Sequence, residues 1–134
     1  MAEFRKVTDS FSVAPQVTPQ DLERAAAEGF RMVINNRPDL EEPGQPAGED
    51  LARAARAAGL AYVAIPVRGR PTPEQAEEMR AALREADGPA LACCKSGTRS
   101  IMTWAMGQTA SGERGRDELL TLGANAGYDL SAVV

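Results

Sequence analysis

The sequence predicts a single α/β domain, residues 1–134, in which a central, mainly parallel sheet is flanked by helices. Its 134 residues are the length of one ordinary domain, and a hydrophobic content of 43% is enough for a buried core. Short apolar segments alternate with segments of helical pattern along the whole chain. Such alternation favours right-handed βαβ units, with helices packed on both faces of the sheet.

The first predicted elements are two strands separated by a helix. A short strand covers Phe11–Ala14, and the run Thr18-Pro19-Gln20-Asp21 then has the pattern of a capped helix start. This helix should extend to about Glu28 and end at Gly29, because glycine accepts the left-handed conformation common after a helix. Met32–Asn35 follows as a buried strand.

A polar loop divides the first elements from the next pair. The segment Arg37–Glu49 is rich in proline, glycine and acidic residues, which predicts a surface loop. An alanine-rich helix is expected over Glu49–Ala58 and ends at Gly59. The next strand is predicted over Ala61–Val67.

The last third of the chain contains one predicted strand and three predicted helices. The run Thr72-Pro73-Glu74-Gln75 repeats the capped start and predicts a helix to about Ala86. Pro89–Cys93 is a short apolar strand, and two further helices are expected over Thr98–Thr109 and Arg116–Ala126.

Composition excludes several classes of function. The net charge is −4 with scattered basic residues, so we expect no nucleic-acid partner. No apolar run is long enough for a membrane span and the N-terminus lacks the apolar core of a signal peptide, which predicts a cytoplasmic protein without a membrane partner. The absence of histidine excludes a Ser-His or Cys-His couple. The two cysteines, Cys93 and Cys94, are adjacent, which argues against a disulfide scaffold or a zinc site, so we expect no metal and no cofactor.

The segment Cys93–Ser100 has the composition of an anion-binding loop. It joins a predicted strand to a predicted helix, where sites form in parallel sheets. A helix N-terminus and a nearby guanidinium lower the pKa of a cysteine from about 8.5, so Cys94 beside Arg99 is a candidate thiolate nucleophile. Gly97 allows backbone N–H groups to surround one point, and Ser100 could donate a hydrogen bond to the thiolate.

The predicted anion-binding residues are Lys95, Ser96, Gly97, Thr98 and Ser100, with Arg99 as a bidentate partner for the anion. In the alternative interpretation both cysteines are small buried residues that end a strand.

The pattern Cys94-x-x-Gly97-x-Arg99-Ser100 resembles the loop of protein tyrosine and dual-specificity phosphatases and that of rhodaneses. More closely, the chain resembles the phosphatase-like domain of beta-lactamase-hydrolase-like proteins, a bacterial family also described as sulfur transferases. The resemblance implies a protein tyrosine phosphatase-like fold with Cys94 as the nucleophile. It extends to four further segments: Val33–Asp39, Glu42–Pro46, Trp104-Ala105 and Ala126–Leu130.

The spacing within the loop bears on which chemistry the protein performs. Phosphatases of this superfamily place five residues between cysteine and arginine, which would select Cys93, whereas the glycine position selects Cys94. Cys94 leaves four intervening residues before Arg99, as in sulfur-transferring rhodaneses, and the shorter loop suits a terminal sulfur better than a phosphate. Such phosphatases also carry an acidic residue after the preceding strand, but Pro66–Thr72 contains no carboxylate.

Three functions are therefore considered. The first is a sulfurtransferase in which Cys94 carries a persulfide; the alternative is a phosphatase that forms a cysteinyl-phosphate on Cys94. The third is a non-catalytic redox or anion sensor, with Cys93 as a candidate second thiol. The substrate would be a small sulfur-containing or phosphorylated anion, and a persulfide-oxidising enzyme would act as a partner in trans, because domains of the resembled family are often fused to one.

Arg37 is a candidate substrate contact or, equally, an arginine paired with nearby acids, while Glu41 and Glu42 are expected to be solvated.

Overall fold

The computed structural model describes all 134 residues and contains five strands and five helices in one α/β domain. The strand order is β1-β2-β5-β3-β4; β1 runs antiparallel to β2, and every other pairing is parallel. The strands are β1 (Arg5–Thr8), β2 (Phe11–Ala14), β3 (Met32–Asn35), β4 (Ala61–Ala64) and β5 (Ala90–Cys93). The helices are α1 (Pro19–Ala27), α2 (Gly48–Ala57), α3 (Pro73–Glu85), α4 (Thr98–Ser111) and α5 (Arg116–Asn125). The predicted fold class is confirmed.

Two helices begin with the capping pattern expected from the sequence. The Thr18 side chain accepts a hydrogen bond from the Asp21 N–H at 3.2 Å, and the Asp21 carboxylate accepts one from the Thr18 N–H at 2.9 Å. Thr72 and Gln75 form the same reciprocal pair at the start of α3. Each cap satisfies N–H groups that the helix itself leaves free, which is worth about 1 kcal/mol. None of the five helices has the length and apolar character needed to cross a bilayer.

The strand β1 and the end of β4 differ from the prediction. β1 is an edge strand in which only Val7 is buried, so its sequence lacks the apolar run by which the other strands are recognised. β4 ends at Ala64 instead of Val67, because the register with β3 shifts there: the Ile65 N–H donates to Asn35, but the Val67 N–H donates to the adjacent Asn36 carbonyl at 2.9 Å. The chain still follows β3 beyond that point, since the Ile65 N–H donates to the Asn35 carbonyl at 2.9 Å.

The sheet separates two apolar clusters. One lies under α3, α4 and α5 and contains Ile34, Met79 and Trp104, while the other lies under α1 and α2 and contains Val33 and Leu51. Neighbouring residues of one strand, such as Val33 and Ile34, therefore belong to opposite clusters. Because both faces are covered, all four residues of β2, of β3 and of β5 are buried. β5 is the central strand of the sheet.

Candidate active site

The loop that carries the candidate nucleophile connects β5 to α4 at the carboxyl end of the central strand. Hydrogen bonds to the strands on both sides hold it in place. The Cys94 N–H donates to the Ala14 carbonyl at 3.4 Å, and the Gln16 N–H donates to the Lys95 carbonyl at 3.3 Å. On the β3 side, the Asn36 N–H donates to the Cys93 carbonyl at 2.8 Å. The loop thus lies at the strand-to-helix junction that the sequence predicts.

The two adjacent cysteines have different surroundings. Cys93 packs in the apolar cluster under α1 and α2, where burial, with a smaller contribution from the negative charge of Cys94, raises the pKa of the Cys93 thiol to about 12. A thiol with that pKa stays protonated at neutral pH and is a poor nucleophile. The Cys94 sulfur instead accepts a hydrogen bond from the Gly97 N–H at 3.0 Å. Cys94 is therefore the better candidate nucleophile of the two.

The polar side chains of the loop are not all directed at Cys94. The hydroxyl groups of Ser96 and Thr98 bond to each other at 2.9 Å on the exposed side. Ser100 is fully buried and its Oγ has no hydrogen-bond partner, so the hydrogen bond predicted from Ser100 to Cys94 is not formed. α4 begins after Gly97, which has no side chain to cap the helix. The Thr98 N–H donates to the Ser96 hydroxyl at 3.4 Å, and the N–H groups of Arg99 and Ser100 are free for an anion.

Arg99 lies beside the thiol and is held by two other segments. Its guanidinium donates to both Glu41 carboxylate oxygens, at 2.8 and 2.9 Å, and to the Val67 carbonyl at 2.8 Å. The hydrogen bonds with Glu41 raise the pKa of Arg99, and the negative charge of Cys94 adds to the effect. Arg99 is thus a permanent cation whose orientation is fixed on two sides.

Arg37 is almost completely buried, with 6% of its side chain exposed. Its donors bond to Glu41 at 2.9 Å, to Gln16 at 3.0 Å and to Glu42 at 3.1 Å. Glu42 also pairs with Lys95. The prediction that the two glutamates are merely solvated is wrong, because together they form ion pairs with three cations around the loop. In this arrangement Arg37 positions the acidic segment that holds Arg99.

The role of Glu41, whose carboxylate bridges Arg37 and Arg99, is not predicted from the sequence. Its contact with Arg99 spans 58 residues, and two adjacent acids in a proline-rich loop carry no periodic signal that would name their partners. The only available signal is that Arg37 and Glu41 follow the carboxyl end of β3, the edge of the sheet at which the cysteine loop also lies.

Replacement of Glu41 by glutamine should lower stability in a pH-dependent manner. Hydrogen bonds from Arg99, and then from Arg37, lower the pKa of Glu41 from 4.5 to about 2. The ionised carboxylate therefore contributes its full stabilisation above its unfolded pKa and loses it as the pH falls toward the folded value. We expect Glu41→Gln to cost about 1–2 kcal/mol in free energy of unfolding at pH 7, and much less near pH 2.

Urea denaturation of both proteins at several pH values measures this difference. The matched control is Glu78→Gln, since Glu78 is an exposed helix residue that forms no ion pair. Its replacement should change stability by less than about 0.5 kcal/mol at any pH. A Glu41→Gln penalty that is equal at pH 7 and at low pH would contradict the proposed role of the carboxylate charge.

Neither a large cavity nor a metal site marks the candidate active site. The largest cavity, about 590 Å³, lies at the opposite end of the sheet, where it is lined by Phe11, Pro89 and Arg80 but by neither Cys94 nor Arg99. No group of three acidic or cysteine side chains is placed to hold a metal ion. The site is therefore defined by the loop and its cations.

A buried thiol beside an ordered arginine, at the start of a helix on a mainly parallel sheet, defines the class of protein: a cysteine-dependent, phosphatase-like enzyme. Structural comparison agrees on the fold of this class. The fold of Tk-PTP in its active form covers 96% of this chain and 87% of that chain with a TM-score of 0.71 at 18% identity. The predicted protein tyrosine phosphatase-like fold is confirmed.

The chain belongs to the family described as beta-lactamase hydrolase-like protein, phosphatase-like domain, whose model matches residues 3–111. The predicted family resemblance is thus confirmed. A beta-lactamase hydrolase-like protein of Agrobacterium fabrum is 37% identical over 129 residues; the match covers 95% of this chain but only 30% of that relative. A protein of Neisseria meningitidis Z2491, provisionally assigned as a phosphatase, is 30% identical with a TM-score of 0.84 and coverage of 96% of this chain and 91% of that one.

Proposed function

We propose that the protein hydrolyses phosphomonoesters through a cysteinyl-phosphate on Cys94. The observation that carries this proposal is the Gly97 N–H directed at the Cys94 sulfur, beside the fixed guanidinium of Arg99. The same groups that stabilise a thiolate also stabilise the oxygens of a phosphoryl group. The relatives also support this function over the sulfur transfer predicted from the loop spacing, because the family is described as a phosphatase-like domain and the Neisseria protein is provisionally assigned as a phosphatase.

The reaction would proceed in two displacements. The Cys94 thiolate attacks phosphorus, an S–P bond forms, and the P–O bond to the alcohol or phenol leaving group breaks. Water then attacks phosphorus, the S–P bond breaks, and inorganic phosphate leaves with the thiolate regenerated. The free N–H groups at the start of α4 and the Arg99 guanidinium would bind the phosphoryl oxygens in both steps.

The missing acidic residue in Pro66–Thr72 limits which substrates can react. General acid catalysis is worth about 10²–10⁴-fold, and without it an alkoxide is a poor leaving group. A phenol has a lower pKa than an alcohol, so phenolate is the better leaving group. We therefore expect aryl phosphates to react faster than alkyl phosphates. The proposed substrate class is a small aryl phosphate or phosphotyrosine-like anion.

Persulfide transfer is the second candidate, because only four residues separate Cys94 from Arg99 and because no general acid is needed. Here the thiolate attacks the terminal sulfur of a donor such as thiosulfate, which releases sulfite and leaves a persulfide on Cys94. A thiol acceptor then attacks the outer sulfur and regenerates the thiolate. A persulfide-oxidising enzyme would be a partner in trans only if the protein transfers sulfur.

A direct comparison of the two substrates distinguishes these functions. The protein is incubated with an aryl phosphate or with a persulfide donor, quenched in acid and examined by intact-mass analysis, alongside steady-state assays of both reactions. The proposal expects turnover of the aryl phosphate and a mass gain of one phosphoryl group that is absent in Cys94→Ser. A mass gain of one sulfur atom without phosphatase turnover would contradict the phosphatase proposal and support sulfur transfer instead.

We also propose that residues 1–134 form a single domain. Both apolar clusters pack on one sheet, which supports residues 1–134 as one domain. The chain spans about 30% of the length of the curated relatives, so any activity of those longer proteins beyond this domain would lie outside the residues described.

A further inference from the structure

One peptide group of the cysteine loop forms a hydrogen bond on each of its two sides. Its N–H, from Gly97, donates to the Cys94 sulfur at 3.0 Å. Its carbonyl, from Ser96, accepts a hydrogen bond from the Tyr128 hydroxyl at 2.9 Å. A trans peptide is planar, and its C=O and N–H point in opposite directions. The Tyr128 bond on one side therefore determines that the N–H faces the sulfur on the other.

The loop needs an external restraint at this position because Gly97 is its pivot. Gly97 has a φ of +90°, and glycine adopts positive and negative φ about equally well. The sequence alone would thus allow the peptide to rotate and direct the Ser96 carbonyl at Cys94. A carbonyl dipole in that place would repel both a thiolate and an anionic substrate.

Tyr128 lies tightly against the glycine. A Cβ atom added at Gly97 would collide with the Tyr128 hydroxyl oxygen, so no larger residue fits between the hydroxyl and the loop. Burial raises the pKa of Tyr128, and the hydroxyl consequently remains a donor above neutral pH.

Contacts other than the hydrogen bond to Ser96 also hold Tyr128 in place. The Tyr128 N–H donates to the Gly123 carbonyl at 2.8 Å, which fixes the turn after α5. The Arg5 guanidinium lies 5.4 Å from the ring centroid and donates to the Ala126 carbonyl at 3.4 Å. The position of the ring therefore does not depend on the hydroxyl bond to the Ser96 carbonyl alone.

We propose that Tyr128 is a positioning residue for the reaction at Cys94: its hydroxyl holds the Ser96–Gly97 peptide with the N–H directed at the sulfur. The inference rests on the proposed role of Cys94 as nucleophile. The Tyr128 hydroxyl bonds to the Ser96 carbonyl and not to the thiol, so in this proposal it acts through the peptide. Its loss should make the thiolate less stable and the anion cradle less ordered.

Tyr128→Phe tests the proposal, because it removes one oxygen atom and keeps the ring. The first readout is the pH profile of alkylation of Cys94 by iodoacetamide, which needs no substrate and so remains informative if phosphatase turnover is absent. We expect its midpoint to rise by about one pH unit, since one hydrogen bond to the thiolate is weakened. In the phosphatase assay kcat should fall about 10-fold, less than the loss caused by deleting an oxyanion donor outright.

Two further variants separate positioning from general support of the fold. Tyr62→Phe removes the other tyrosine hydroxyl, which accepts from the Asn35 side chain at 3.0 Å, and should leave the alkylation midpoint unchanged. Arg5→Met loosens the contact with the Tyr128 ring but keeps the hydroxyl; it should lower the melting temperature without moving the midpoint. The proposal is overturned if Tyr128→Phe leaves the midpoint at its wild-type value, or if Arg5→Met shifts it equally.

Discussion

Replacement of Cys94 by serine should abolish activity, with kcat/KM lower by about 10⁴-fold or more on either candidate substrate. Serine keeps the size of the side chain but has no accessible anion at neutral pH, so neither an S–P nor an S–S bond can form. The fold should be unaffected, because the change replaces one atom at the Gly97 N–H. Steady-state kinetics with aryl phosphate and with thiosulfate measure the loss.

Cys93→Ala is the matched control for this experiment. Cys93 is fully buried with a pKa raised to about 12, and its side chain only fills space under α1 and α2. We expect its removal to cost about 1 kcal/mol of stability and to leave kcat/KM within about three-fold of wild type. Mass mapping of alkylated peptides at neutral pH should find label on Cys94 alone. Activity that depended on Cys93 and survived in Cys94→Ser would reverse the assignment.

Replacement of Arg99 by lysine should be the second most damaging change, with kcat/KM reduced by about 10²–10³-fold. Lysine preserves the charge but cannot form the paired bonds to Glu41 together with the bond to the Val67 carbonyl. The cation would therefore be less ordered beside the thiol, and binding of the transferring group would weaken. Kinetics with the same substrates, together with a melting curve to exclude unfolding, check this expectation.

Arg80→Lys provides the control for Arg99→Lys. Arg80 donates through two nitrogens to Glu113, at 3.1 and 2.8 Å, and so forms a comparable pair far from the cysteine loop. Its replacement should leave kcat/KM within about two-fold of wild type. An equal loss of activity in both variants would show that Arg99 contributes stability alone.

The parts of the fold that could be predicted are those with a local cause. The capping patterns at Thr18 and Thr72 identify the starts of α1 and α3, since each depends on residues only three positions apart. The strand β1 depends instead on pairing with β2, and its charged sequence contains no local signal of that contact. Propensity is overridden here by tertiary structure.

The same distinction applies to the candidate site. Cys94, Gly97 and Arg99 lie within six consecutive positions, so their chemistry is visible in one segment. The contributions of Glu41 and Tyr128 arise from segments that only folding brings to the loop. Loop spacing predicts sulfur transfer, whereas the relatives favour the phosphatase alternative, because spacing alone does not determine which anion the folded loop binds.

The central position of β5 makes the number of residues in that strand a determinant of reactivity. β5 is paired in parallel register with both β2 and β3, and consecutive side chains face opposite sides of the sheet. Deletion of a single residue between Ala90 and Cys93 would draw Cys94 into the buried strand position of Cys93 and bring Lys95 to the loop position of Cys94, with no cysteine replaced. We therefore expect natural length variation to be absent from β5, where one residue more or fewer changes which side chain faces the Gly97 N–H.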